Sequence, residues 1–511
     1  MIVARLRNGV FNSLKLDEQP FERWFQRHHT ATWHSFDKAP WRHPWLTVRN
    51  LTAMREFSAR LREQAHDMRR RAPQRAIRHA FVCNVANSMY TTAKAIAAVG
   101  TSVDLVLHPG DDFLMSQPEW EEFDGEMRRE VATLAAARDL GARFPPLEHV
   151  YRPQISHRWT SLQMVPDWVP MAQFYRWRDF YSYLPVLEKA REYDSLFVMQ
   201  CPYLAYLSRK PYIATHMGGD IWYECSRNDM LGQLQRESFA KANLFIASNP
   251  WSYAFARRYG MRNVAYVPTL LNAKDYSPGV SPQREAWHAL KGGDFFVLTT
   301  ARIDTLFKGT QLPIEAFARF AATHPGARLV IIGWGQDLDA QAARIEALQL
   351  ANKVLVVPPA GKQRLIAYLR AADCLLDQFV LGYYGMTALE ALACGLPTIA
   401  RLEVQQYDAF SDAGCPPAMN AATVDGIVDA LTTLHDKPDF RRDLAARSRE
   451  WFMRYSGNEA WADVYLDLLG AAASGHRFDF RNSPLNTALG DEELEYHRQG
   501  LLQAPVFPNY F

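Results

Sequence analysis

The 511-residue sequence contains no run of 18 apolar residues, so it lacks a segment that could cross a membrane as a helix. Its N-terminus also lacks the apolar core of a secretory signal peptide. The six cysteines are scattered and none has the CxxC spacing, which is typical of buried thiols in a reducing compartment. These absences predict a cytoplasmic protein.

The sequence has no strong excess of charge of either sign. It carries 57 basic and 55 acidic residues, which argues against a nucleic-acid partner. No group of His and Cys residues has metal-ligand spacing, and Asp337-Leu-Asp339 is interpreted as the acidic first turn of a helix. We therefore expect neither a metal nor a cofactor other than the substrates.

The length exceeds what one hydrophobic core supports and is typical of two domains of about 200 residues each with extensions. Strand-like and helix-like segments alternate from His79 onward, which predicts α/β domains with parallel sheets. The predicted organisation is an extension over 1–77, a first domain over 78–275, a second domain over 276–455, and a final helix with a tail over 456–511.

The most informative stretch runs from Gly382 to Ala400 and reads as a glycine-rich loop, a helix and a strand. Gly395 and Pro397 end the helix. At its other end, the backbone amides of Gly385, Met386 and Thr387 point outward with the positive end of the helix dipole, which favours a phosphate group. Glu390, one turn further, is placed to accept hydrogen bonds from a ribose diol.

This stretch resembles the signature of retaining glycosyltransferases of the GT-B fold, family 4 type, through Glu390-Ala391, Cys394-Gly395 and Leu396-Pro397. The resemblance covers about 79–470 and is densest over 295–400. It implies two Rossmann-like domains facing across a cleft and transfer of a sugar from an activated donor with retention at the anomeric carbon. The family has a second glutamate eight positions before Glu390, where this chain has Gly382. Asp377 is a candidate substitute, or else a loop cap.

Two cations follow the first predicted strand of the second domain. Arg302 and Lys308 come after 295–300, six positions apart where similar enzymes have five. The two side chains are suited to binding a leaving diphosphate, because the Arg guanidinium forms two parallel hydrogen bonds and the Lys ammonium adds a compact positive charge. Gly333, at the end of the next strand, is a further candidate nucleotide contact.

Polar residues also follow two strands of the first domain. Asn84 and Asn87 come after 79–83 and are candidate acceptor contacts or caps of the next helix. His216, followed by Gly218, Gly219 and Asp220, ends the strand over 212–216, and the resemblance implies that this histidine holds the sugar. We expect catalysis without a cofactor, with His216, Arg302 and Lys308 as the candidate catalytic residues.

The outer parts of the chain are less regular. Arg69, Arg70 and Arg71 end a helical segment and are either a solvated helix face or a docking site for an anionic membrane surface. An insertion over 110–195, which includes the aromatic run 173–183, is expected to shape the acceptor pocket. The expected acceptor is a glycan or lipid-linked glycan, and the oligomeric state stays open.

Two other functions remain open at this stage. Gly382 and the shifted Arg–Lys spacing are compatible with an atypical donor, such as a pentose or phosphoribosyl diphosphate. They are also compatible with a non-catalytic relative that binds a glycan or a partner.

Overall fold

The structure, a computed structural model, describes residues 48–71, 77–108, 113–127, 133–139, 141–144, 146–153, 184–222, 224–226, 230–305 and 308–479. Thirteen strands run through these residues: β1 His79–Val82, β2 Asp104–Val106, β3 Val150–Tyr151, β4 Ser195–Met199, β5 Tyr212–Thr215, β6 Leu244–Ile246, β7 Val264–Ala265, β8 Phe295–Thr299, β9 Ala327–Ile332, β10 Val354–Val357, β11 Cys374–Leu376, β12 Thr398–Ala400 and β13 Met419–Asn420.

The described α-helices are α1 Val48–Arg71, α2 Ser88–Ala97, α3 Glu119–Glu122, α4 Leu134–Asp139, α5 Leu184–Ala190, α6 Pro202–Ser208, α7 Gly219–Trp222, α8 Met230–Lys241, α9 Pro250–Arg258, α10 Gln283–Lys291, α11 Gln311–Thr323, α12 Leu338–Ala347, α13 Lys362–Ala371, α14 Met386–Ala393, α15 Val404–Phe410, α16 Val424–Asp436, α17 Pro438–Tyr455 and α18 Asn458–Ala473. Short 3-10 turns add Val85–Asn87, Leu114–Ser116 and Glu224–Ser226.

The strands form two parallel sheets. The first has the order β3-β2-β1-β4-β5-β6-β7 and the second the order β10-β9-β8-β11-β12-β13. Central strands such as β4 and β8 are buried along their whole length, as strands covered by helices on both faces must be. The prediction of two Rossmann-like α/β domains is confirmed.

Both ends of the described chain pack on the first sheet. α18 lies against β4, β5 and α1, and its Tyr465 donates a hydrogen bond to the carbonyl of Pro268 at 2.9 Å. α1 also packs against α15 of the second domain. The last helix therefore crosses back from the second sheet to the first, and it ties the two domains together.

Several sequence predictions lie outside the described residues. These are the roles of 1–47, of 154–183 in the insertion, which includes the aromatic run 173–183, and of 480–511. Within the described part, Arg69 pairs with Asp467 at 2.9 Å, whereas Arg71 pairs with Asp67 on its own helix. No described helix combines the length and the apolar character that crossing a membrane requires.

Candidate active site

The candidate site begins at the carboxyl ends of β8 and β11, which are neighbours at the centre of the second sheet. Lys308 Nζ donates a hydrogen bond to Gln378 Oε1 at 2.9 Å, and the amide of Phe379 donates to the carbonyl of Lys308 at 3.0 Å. Burial lowers the pKa of Lys308, and the nearby carboxyl of Asp377 acts in the opposite direction. The structure thus brings Lys308 beside the residues that follow β11.

Asp377, the residue that follows β11, is a buried carboxyl of this region. Its side chain is 2% exposed, and its Oδ2 has no hydrogen-bond partner among the described residues. Burial raises the pKa of Asp377, while Lys308 lowers it and Glu390 raises it. Both Lys308 and Glu390 influence the pKa of this carboxyl, so the predicted cation and the predicted ribose carboxylate are both in the neighbourhood of Asp377.

Arg302 lies on the same edge of the sheet. Its Nη2 contacts Asp304 Oδ2 at 2.6 Å, and its side chain is about one-quarter exposed. The loop that carries it is held close to the end of β9, where the amide of Ile303 donates to the carbonyl of Trp334 at 2.8 Å. Gly333, which precedes Trp334, donates its own amide to Val357 at 2.8 Å and is buried.

The predicted phosphate site is the N-terminus of α14. Gly385 is the N-cap residue in an extended conformation, and it and the next two residues are partly exposed. The first amides of a helix have no intrahelical acceptor, so those of Met386 and Thr387 remain available for an anion. The loop is anchored from behind, because Tyr383 donates to Gln406 Oε1 at 2.6 Å and Tyr407 accepts from the amide of Tyr384 at 3.2 Å.

Gly382 faces a carboxylate that the sequence did not point to. Its φ is +75°, and a Cβ atom built on it would lie 2.7 Å from Glu403 Cγ. The carbonyl of Gly382 also accepts a hydrogen bond from the amide of Glu403 at 2.9 Å. Glu403 Oε1 contacts Arg401 at 3.2 Å. A larger residue at 382 would therefore be strained in its backbone and would collide with Glu403.

Glu390 is paired with a lysine inside the site. Its side chain is 1% exposed and forms a buried ion pair with Lys362 Nζ at the start of α13. The same ammonium lies 4.7 Å from the centre of the Trp120 ring. A carboxylate this deeply buried needs a cation or several donors beside it, and Lys362 supplies one.

Trp120 belongs to a segment of the first domain, residues 113–127, that lies against the second domain and is called the strap here. Gly125 and Met127 make antiparallel backbone hydrogen bonds with the turn before α13, at 2.9 and 2.6 Å. Tyr368 donates to Glu126 at 2.8 Å and Arg364 to Asp124 at 2.9 Å. The strap therefore covers Lys362 and Glu390 from the side of the first domain.

The two asparagines predicted to contact the acceptor lie under this strap and are fully buried. Asn84 donates to the carbonyl of Ser116 at 2.8 Å and accepts from the amide of Tyr90 at 2.9 Å, which caps α2. Asn87 accepts from Asn84 at 2.7 Å and donates to Glu121 at 3.3 Å. The helix-capping alternative thus describes what Asn84 does in this structure, and a contact with the acceptor stays a prediction.

Glu121 joins the two domains through this network. It is 1% exposed, and its Oε1 accepts a hydrogen bond from Tyr276 in the interdomain linker at 2.7 Å. Burial raises the pKa of Glu121, and Lys362 is the strongest opposing influence. Asn87, Glu121, Lys362 and Glu390 are consequently parts of one buried polar connection between the sheets.

His216 lies at the carboxyl end of β5, as predicted. Burial lowers its pKa to about 4, so the ring is neutral near pH 7. The amide of Ser248 donates to Nε2 at 3.2 Å, which places the ring proton on Nδ1, an atom with no partner among the described residues. Trp251, three residues after Ser248, packs against the cluster of Tyr383, Ala400, Leu402 and Tyr407. Tyr383 belongs to the loop 382–385 before α14, called the donor loop here, so the surroundings of His216 extend to that loop.

Asp220 lies behind His216 in a buried turn. Its Oδ1 accepts the amide of Met217 at 2.9 Å, and burial raises its pKa to about 8. Gly218 has a φ of +108°, which favours glycine, while Gly219 begins the short helix α7 with open space around it. The two glycines and Asp220 shape the turn that presents His216.

Sequence reasoning missed three residues of the site: Glu121, Lys362 and Glu403. None lies in a recognisable motif, and each acts on a partner distant along the chain. Of the three, only Lys362 is indicated by the sequence. A lysine at the first position of a helix opposes the helix dipole, so an acidic partner is expected beside it.

Solved structures share this fold. Sucrose-phosphate synthase from Thermosynechococcus elongatus matches with a TM-score of 0.52 and 17% identity, over 78% of this chain and 100% of that one. Anabaena HepE in complex with UDP and glucose matches with a TM-score of 0.56 and 14% identity, over 78% of this chain and 100% of the other. These likenesses concern the fold alone, and they confirm the GT-B architecture predicted from the sequence.

Curated relatives match over a shorter region. The D-inositol 3-phosphate glycosyltransferase of Acidothermus cellulolyticus is 30% identical over 247 residues, which are 44% of this chain and 53% of the relative. The enzyme of the same name from Mycolicibacterium smegmatis is 29% identical over 222 residues, 40% of this chain and 46% of the relative. The chain thus spans about half the length of these relatives. Residues 282–451, which carry the donor loop and both predicted cations, match the family described as "Glycosyl transferases group 1".

Proposed function

We propose that the protein transfers a sugar from a nucleoside-diphosphate donor to an acceptor hydroxyl. The observation that carries this proposal is the convergence at the carboxyl edge of β8 and β11. There Asp377 responds to both Lys308 and Glu390. The N-terminus of α14, whose first amides are available to an anion, lies four residues before Glu390. A cation, free helix amides and a ribose-binding carboxylate are the groups that a nucleoside diphosphate requires.

The chemistry assigned to these groups is stabilisation of the leaving diphosphate. Negative charge grows on that group as the glycosidic bond breaks, and we assign its stabilisation to Lys308, Arg302 and the amides at Gly385–Thr387. No proton transfer by these residues is needed, because the leaving phosphate itself accepts the proton of the acceptor hydroxyl. Retention at the anomeric carbon, which the family resemblance implies, belongs to the same proposal.

Glu390 binds the ribose diol by exchanging partners. In the donor-free protein the carboxylate is held by Lys362 beneath Trp120 of the strap. Ribose hydroxyls donate to a carboxylate as an ammonium does, so the diol replaces or shares the contacts of Lys362. The strap would then shift from its place over Lys362 as the nucleotide enters.

The sugar pocket differs from that of similar enzymes at Gly382. Where the family has a glutamate, this chain has a glycine with Glu403 against its α-carbon. We infer that Glu403, oriented by Arg401, and not Asp377, is the carboxylate that contacts the sugar. The second candidate function, transfer of a pentose or phosphoribosyl group, is favoured if Glu403 stays paired with Arg401.

The relatives suggest which substrates to test first. Anabaena HepE binds UDP and glucose by its title, so UDP-glucose is the first donor for this chain. The named relatives act on an inositol phosphate by their names, but the match covers about half of them. We therefore keep a broader acceptor class, a glycan or lipid-linked glycan of the cell surface, with the reaction on the cytoplasmic side of the membrane.

Binding and turnover test the proposal separately. Calorimetry with UDP, GDP and ADP asks whether the site binds a nucleoside diphosphate, and a donor panel followed by mass spectrometry identifies the transferred group. Lys308→Ala should weaken nucleotide binding, whereas the control Lys291→Ala should not, since the ammonium of Lys291, at the end of α10, donates to the carbonyl of Ala351. Binding without turnover on any donor would favour the non-catalytic alternative, and absence of binding would contradict the proposal.

A further inference from the structure

Three potential metal ligands meet at the amino edge of the second sheet. His324 follows the end of α11, and His435 and Asp436 end α16, which packs beside α11. One ligand atom from each side chain lies within 4.8 Å of the others. His324 Nε2 is 3.4 Å from Asp436 Oδ1, and His435 Nδ1 is 2.6 Å from the same oxygen.

Both ring nitrogens of His324 have polar neighbours. Its Nδ1 is 3.0 Å from the carbonyl of Phe320 and 2.9 Å from the hydroxyl of Thr323. Its Nε2 faces the carboxylate of Asp436 at 3.4 Å. When Nδ1 carries the ring proton and donates it to Phe320, the lone pair of Nε2 faces the carboxylate and is available to a metal ion.

The surrounding contacts favour the metal ion. The carbonyl of Phe320 takes the Nδ1 proton, which is the usual way that an outer partner orients a metal-binding histidine. The Phe320 ring stacks on His324 at 4.2 Å and the Phe295 ring meets His435 edge-on at 5.1 Å, so both imidazoles are held in place. Donor atoms of a tetrahedral zinc site lie about 3.3 Å apart, close to the 3.4 Å between His324 Nε2 and Asp436 Oδ1, whereas His435 Nδ1, at 2.6 Å from the same oxygen, must move away from it when the ion binds.

We propose that His324, His435 and Asp436 bind one divalent transition-metal ion of the zinc class, with water completing the coordination. Two imidazole nitrogens and one carboxylate oxygen suit Zn²⁺, Co²⁺ or Ni²⁺ and suit Mg²⁺ poorly. The ion joins the C-terminal ends of α11 and α16. Because α11 has 13 residues, it separates the metal site from the loop of Lys308 by about 20 Å, and the role of the ion is to stabilise the second domain.

The test uses the full chain without a histidine tag, stripped with EDTA and dialysed. Added Zn²⁺ should raise the melting temperature of the wild-type protein. His324→Asn and Asp436→Asn should each weaken Zn²⁺ binding in calorimetry at least about tenfold. His66→Asn is the matched control, because His66 contacts Asp467 at 3.1 Å with no second imidazole at that pair.

If Zn²⁺ leaves the wild-type melting temperature unchanged, or shifts it equally in the variants, the metal proposal is wrong. Should a variant fail to fold, Co²⁺ in the wild-type protein decides. Intense visible absorption indicates the low coordination proposed, and the faint spectrum of the aqueous ion contradicts it. Both readouts are independent of sugar transfer.

Discussion

Glu390→Gln separates the structural role of Glu390 from its role in donor binding. The substitution keeps the shape of the side chain and removes the negative charge opposite Lys362, in a position that is 1% exposed. Loss of one partner from a buried ion pair costs about 3–5 kcal/mol in the free energy of unfolding. We expect about 3 kcal/mol, since the amide oxygen of Gln still accepts a hydrogen bond from the ammonium.

Donor binding should weaken independently of this loss. A hydrogen bond between the ribose diol and a charged carboxylate contributes about 1–3 kcal/mol, which corresponds to about 5- to 150-fold in Kd. The assay is calorimetry with the tightest-binding nucleoside diphosphate and with its 2′,3′-dideoxy analogue. Wild type should prefer the ribose form, and Glu390→Gln should lose that preference.

The double variant Lys362→Met/Glu390→Gln decides between the two roles. It removes the unpaired ammonium, so the free energy of unfolding should recover while the preference for ribose stays lost. Arg364→Met is the control, because it breaks a strap contact with Asp124 at an exposed pair, where about 0–1 kcal/mol is at stake. If the double variant regains discrimination between ribose and dideoxyribose, Glu390 serves only the fold and our assignment fails.

Four further outcomes are expected. Lys308→Ala should lose at least about 2 kcal/mol of transition-state stabilisation in kcat/KM, and near wild-type turnover would remove it from the site. Gly382→Glu should lower activity and stability, because φ is +75° and the new Cβ would meet Glu403; a gain with a UDP- or GDP-hexose would indicate a damaged family site instead. Turnover at 25 °C should be unchanged by EDTA. A loss of activity with EDTA that Mg²⁺ or Mn²⁺ restores would contradict this. The raised pKa of Asp220, about 8, means that its stabilising effect is complete below about pH 4 and is lost as pH rises through 8. Asp220→Asn should flatten the fall in unfolding free energy between about pH 4 and 8, and an unchanged slope would show that other groups cause it.

The local structure of the site was predictable because it depends on residues near one another in the chain. The strand predicted over 295–300 formed over Phe295–Thr299 and is buried along its whole length. The glycine-rich loop and the helix Met386–Ala393 formed where Gly385 and Gly395 indicated. Parallel strands place their following loops at one edge, so the meeting of Lys308 with the end of β11 also followed from the order of strands.

The partners of those residues were decided only by the tertiary structure. Lys362 reaches Glu390 from 28 positions away, and Glu121 reaches the interdomain linker at Tyr276 from 155 positions away. Glu403 lies against Gly382 because strand β12 returns beside β11. Local sequence determines backbone conformation, since propensity and hydrophobic periodicity act within a few residues. The charge beside a buried carboxylate depends instead on which distant surfaces pack together, and no spacing in the sequence encodes that.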